Sequence, residues 1–177
     1  MPHLPPAGGD GQRSKELTMS VLKAHRGQSK AEYCNTANAI YVETLGFLSR
    51  LSARYSRLLA QDAAHLASEV VTNAEKANSM MPSDEIRYNE RKAFLLRARA
   101  ALVALDLHLA RVYEVLLMNP EGAFQTTKGK NVPIADAMKK LDRMAQSLGE
   151  KIDEEEKMLN GVMKSDKQYL AKKMKEK

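Results

Sequence analysis

Leu95, Leu102, Leu105, Leu109, Val112 and Leu116 return at steps of three, four and seven residues, and no other feature limits the possible folds as strongly. Steps of three and four place side chains on one face of a helix, whereas a half-buried strand needs alternation by two. The stretch therefore predicts a long amphipathic helix. Its apolar seam, with Ala98 and Tyr113 beside it, must be covered by other helices.

The same spacing recurs three more times. Ala37, Ile40, Tyr41, Thr44, Leu48, Leu51, Tyr55 and Leu58 predict a first helix over about 29–60. Asp62 is placed to cap a second, whose inward residues Leu66, Ala67, Val70, Val71, Ala74 and Ala77 run to about residue 79. Many of these are small, which predicts close approach to a neighbouring helix. Met81-Pro82-Ser83-Asp84-Glu85 reads as stop and restart: proline cannot continue the preceding helix, Ser83 can cap the next, and the acids suit its dipole. The third helix stops at Asn119-Pro120-Glu121-Gly122.

Asn131 is expected to cap the fourth helix, with Pro133 in its first turn and a seam of Ile134, Met138, Leu141, Ala145, Leu148, Ile152, Glu155, Leu159 and Val162. The seam keeps a coiled-coil rhythm apart from Glu155. Asp153-Glu154-Glu155-Glu156 faces all round the helix, so its outer half is expected to project past the core or meet a basic surface. Residues 164–177 carry six lysines against Asp166 and Glu176 and read as a basic tail, frayed or disordered. Residues 1–28, with Pro5-Pro6 and Gly8-Gly9, read as a disordered leader in which Leu17, Val21 and Leu22 can form one docked turn. The expected fold is all-α: an antiparallel up-down four-helix bundle over 29–163.

Composition narrows the function classes. Aromatic residues make up 5% of the 177 residues and tryptophan is absent, so leucine, alanine and methionine must fill the interior. The single cysteine, Cys34, excludes an internal disulfide and a cysteine-cluster metal site, and reads as a small apolar filler in a reducing compartment. The N-terminus has no signal-peptide pattern and no stretch approaches the ~18 apolar residues of a membrane span. A cytoplasmic protein with no membrane contact is expected.

His3, His25, His65 and His108 do not cluster, and neither His-Glu-x-x-His nor the Glu-x-x-His pair of metal-binding bundles occurs. His65 and Glu69 stand four apart as an ordinary surface pair. The loop 125–131 has glycines and lysines but lacks the phosphate-loop pattern. No catalytic constellation, cofactor or metal is predicted, and the chain is read as not an enzyme.

Basic residues give the positive signal, on a chain of net charge +6. Arg50, Arg54 and Arg57 are spaced to form one stripe along the first helix. Arg87, Arg91 and Lys92 repeat the pattern on the third, and Lys139, Lys140 and Arg143 on the fourth. Such stripes can track successive phosphates, and with few surface aromatics for stacking, phosphate and shape recognition would dominate.

The third helix holds Ala98-Arg99-Ala100-Ala101-Leu102-Val103-Ala104-Leu105-Asp106-Leu107-His108-Leu109. It resembles the Ala-Arg-x-Ser-Leu-x-Glu-Leu-x-x-x-Leu helix of a bacterial four-helix-bundle family. That family comprises proteins encoded in 23S ribosomal RNA intervening sequences and the accessory variability determinant of diversity-generating retroelements. Ala101 and Ala104 stand where the family has Ser and Glu, and Asn73-Ala74-Glu75 resembles its second-helix Asn-Ile-Ala-Glu. The resemblance implies a pentameric homo-oligomer that binds structured RNA or an RNA–DNA intermediate and a reverse transcriptase, with Arg99 carried over as a binding residue. The alternative is an oligomeric helical protein-interaction module without nucleic-acid binding.

Overall fold

The structure is a computed structural model, and it describes residues 31–124, 129 and 132–175. Among the described residues the elements are α1 (Glu32–Leu48), α2 (Ala53–Asn78), α3 (Glu85–Leu117), a 3-10 turn at Pro120–Ala123, and α4 (Ile134–Lys175). Among the described residues there is no strand. The expected leader over 1–28 and the expected Asn131 cap lie outside the described residues.

Each helix packs on its neighbours in sequence, and α1 also packs on α4, which closes the bundle. Arg91 pairs with Asp166, Arg99 with Glu156 and Tyr113 with Asp142, so α3 and α4 run in opposite directions. The third-helix seam is where its spacing put it: Leu95, Leu102, Leu105, Leu109, Val112 and Leu116 are all buried. Each leucine contributes roughly 1.5–3 kcal/mol of burial, which outweighs any surface ion pair. From α2 the core receives Ala63, Ala67, Val70, Ala74 and Ala77, every one fully buried. These small side chains let the α2 and α3 backbones approach closely.

Several boundaries differ from the sequence expectation. The first helix does not run to residue 60: it ends at Leu48, and Ser49–Ser52 turn the chain into α2. Ser49 closes α1 through its backbone N–H and donates its hydroxyl to the Gly46 carbonyl at 2.7 Å. Ser52 is extended at the N-cap position of α2, and Leu51 is buried between the two helices. Asp62, expected to cap, lies inside α2 and is exposed. Leu58, Ile134 and Met138, expected inside, are exposed. At the start of α3 the cap is Asp84 rather than Ser83. The Asp84 carboxylate accepts from the Arg87 backbone N–H at 2.9 Å, which holds its carboxyl below the usual aspartate range, and the Ser83 hydroxyl donates to Asp84.

The far half of α4 is the largest correction. It does not project past the core, since Glu155 and Leu159 are fully buried. Both Glu155 carboxyl oxygens lack a hydrogen-bond partner among the described residues, and burial, reinforced by Glu154, pushes its pKa up to about 8. Burial thus favours its protonated, neutral form. The segment expected to fray continues as regular helix to Lys175. Asp166 anchors it, accepting from Arg91 Nε at 2.6 Å.

Candidate nucleic-acid interface

Three chain segments meet at the end of the bundle that holds the α1–α2 turn. Arg50 lies in that turn, Phe124 follows the 3-10 turn, and Lys140 is in the second turn of α4. The Arg50 guanidinium carbon is 5.0 Å from the centre of the Phe124 ring, and Lys140 Nζ is 5.4 Å from it. Phe124 is buried, and its carbonyl accepts from the Val132 N–H at 3.4 Å. The turn before it depends on Gly122, where a Cβ would come within 2.9 Å of the Asn119 side chain that caps it. Arg50 Nε is buried without a hydrogen-bond partner among the described residues, and the side chain borders a cleft of about 250 Å³ shared with Ser52, Tyr55 and Asn119.

Backbone electrostatics add to the side chains here. α2 and α4 both begin at this end, so two helix N-termini supply positive potential. The first turn of α2 has no acid, and Arg54 and Arg57 occupy its first two turns, exposed. Cations at a helix N-terminus oppose the dipole, which is an unusual choice unless an anion binds there. Lys139, Lys140 and Arg143 are exposed near the start of α4. None of these six cations, from Arg50 to Arg143, forms an ion pair with a carboxylate among the described residues.

The remaining expected site residues are placed differently. Arg50, Arg54 and Arg57 do not form one helical stripe, because the break at Ser49–Ser52 separates the first from the other two. Arg91 is withdrawn from solvent, with 12% of its side chain exposed; it bonds Asp166 and the Ala77 and Met80 carbonyls, and so ties α2, α3 and α4 together. Arg99 donates twice to Glu156, at 2.8 and 3.0 Å. Arg87 stands 3.7 Å from Asp84, and Lys92 lies 5.9 Å from the Tyr88 ring. Arg91 therefore serves the bundle itself, while Arg87 and Arg99 are each paired with a carboxylate and remain partly open to solvent. Phe124 escaped the sequence reading, because a lone aromatic in a loop has no periodicity to betray it.

Other reactive side chains are unremarkable or inert. His65 and Glu69 stand 3.6 Å apart, both open to solvent. Cys34 is fully buried, and desolvation pushes its thiol up to about 12. Among the described residues no cluster of His, Cys, Asp and Glu is placed to hold a metal ion, and no helix is long and apolar enough to cross a membrane. No family model matches the chain, and neither a curated protein nor a solved structure does.

Proposed function

We propose that this chain is a non-catalytic accessory protein that binds the phosphate backbone of a structured RNA, or of an RNA–DNA intermediate, through its basic end. The observation that carries the reading is the convergence of Arg50 and Lys140 on Phe124. Two cations gathered at one ring concentrate positive potential at this end, which a bound anion relieves. Arg54 opposes the dipole in the first turn of α2, a cost that a bound phosphate offsets, and Arg57 adds charge one turn on. Phe124 is too buried to stack a base, so recognition works by charge and shape. A reverse transcriptase as protein partner rests on the third-helix resemblance.

Filter binding of a structured RNA hairpin across a salt series tests the reading. Affinity is expected to fall steeply with salt, each phosphate contact adding roughly 0.7–0.9 to the logarithmic slope. Combining Arg54→Glu, Arg57→Glu and Lys140→Glu should flatten the slope and weaken low-salt binding by at least about tenfold, because several phosphate contacts are lost at once. Arg99→Gln should leave both unchanged. Absence of low-salt binding, or indifference to the triple change, overturns the proposal.

A second reading, an oligomeric interaction module, is favoured by the outer face of α3. Leu96, Val103 and Leu107 are exposed there at helical spacing, although the helix already buries a full inner seam. A helix apolar on both faces suits an assembly. Homo-oligomerisation, pentameric if the resemblance holds, is compatible with RNA binding and with its absence. Light scattering of the Val103→Glu, Leu107→Glu variant distinguishes them: loss of an assembly with RNA affinity retained separates the two surfaces.

A further inference from the structure

A groove runs along the α2–α3 seam, away from the basic end, with a volume of about 670 Å³. That lies within the roughly 300–1,000 Å³ of small-molecule sites. Its floor includes Ala100 and Ala104, one helical turn apart, which present only methyl groups. Ser68 and Thr72 offer hydroxyls along the α2 wall. The two ends differ in charge. At one, Lys76 Nζ and the Arg97 guanidinium carbon lie 5.6 and 5.5 Å from the centre of the Phe94 ring. At the other stands the His65–Glu69 pair. Neither Lys76 nor Arg97 forms an ion pair with a carboxylate among the described residues.

We infer that this groove is a nucleotide site, with a phosphate monoester held between Lys76 and Arg97 and the nucleoside lying on the alanine floor. Contact with the Phe94 ring restrains both cations at this end of the groove, so less of their freedom is lost when a ligand arrives. A phosphate between them forms charge-assisted hydrogen bonds to both and removes their mutual repulsion. The Ser68 and Thr72 hydroxyls suit ribose oxygens, which both donate and accept. Glu69, at the far end, is an acceptor for an exocyclic amine of the base. The groove shares no residue with the basic end, so this site stands or falls independently of the RNA reading.

Amide chemical-shift titration of the full chain with AMP, adenosine and inorganic phosphate tests the site. AMP should shift residues of α2 and α3 along the groove and bind more tightly than either fragment. Lys76→Gln with Arg97→Gln should weaken AMP by about tenfold or more, in line with the loss of two charge-assisted bonds. Ala104→Gln, which fills the floor and keeps the charges, should weaken it too, while Arg54→Glu with Lys140→Glu should not. A short 5′-phosphorylated single strand that displaces AMP identifies a strand end as the ligand; failure to displace it identifies the free nucleotide, and both outcomes support the site. Equal affinity for AMP and inorganic phosphate, no binding of AMP, or binding indifferent to the groove variants overturns it. Circular dichroism of each variant confirms that the helices persist.

Discussion

Arg91 Nε donates to Asp166 at 2.6 Å while another nitrogen of the same guanidinium donates to the Ala77 and Met80 carbonyls. One side chain thus finishes the C-terminal end of α2, stands at the start of α3 and fastens the last turns of α4. Both partners are nearly withdrawn from water, at 12% and 13% exposure, where removing one leaves the other charge without compensation.

Asp166→Asn is therefore expected to cost about 2–4 kcal/mol in urea unfolding, somewhat below a fully buried pair because water still reaches both groups. Hydrogen exchange should rise over the last turns of α4 and stay unchanged near Leu141. A variant as stable as the parent would show that the tail contributes nothing to the fold.

Glu155 gives a pH dependence of definite sign. Its carboxyl titrates near 4.5 when unfolded and near 8 when folded, so between those values the native state binds the extra proton. The stability it contributes is full below about pH 4.5 and is lost as pH rises through about 8. Cys34 senses Glu155 and Glu75 electrostatically, and both raise its thiol pKa further. Glu155→Gln, which cannot ionise, should match the parent at pH 4.5 and exceed its Tm increasingly up to pH 8. Parallel melting curves across that range would place the carboxyl in water.

Ala74 is fully buried in α2. Ala74→Leu adds three carbons where close approach leaves no room, and should destabilise by roughly 1–3 kcal/mol as the packed helices move apart. Chemical denaturation measures it. An unchanged midpoint would mean that the interior has space that the packing denies.

Leu105 lies at the middle of the α3 seam and is fully buried. Leu105→Asp places a carboxylate among leucines and removes their shared contact, so the sharp thermal transition should disappear. A retained cooperative melt would reject the phase assigned to α3.

The helices were legible where packing acts through local spacing. The α3 seam is continuous and every member is buried, because leucines at three- and four-residue steps can be satisfied only on one face. The break between α1 and α2 was hidden for the same reason. Leu48, Leu51 and Tyr55 carry the apolar step straight across Ser49–Ser52, with neither proline nor glycine at the corner, so periodicity alone joins two helices into one. Asp166 finds its arginine 75 residues away, a distance at which composition reports only a lysine-rich tail. The geometry of the basic end was not legible in the spacing of its cations. Arg54 and Lys140 looked like members of separate stripes until the turns brought their helices to one end, whereas Arg91 and Arg99 were already engaged by acids.

The alanines along the inner side of α2 also decide how such a protein can change through descent. Ala63, Ala67, Ala74 and Ala77 are fully buried, so a larger side chain at any of them must displace packed neighbours. The α2–α3 hairpin thus accepts substitution most readily on its outer surfaces. There the partners of the molecule can be exchanged without rebuilding what carries them.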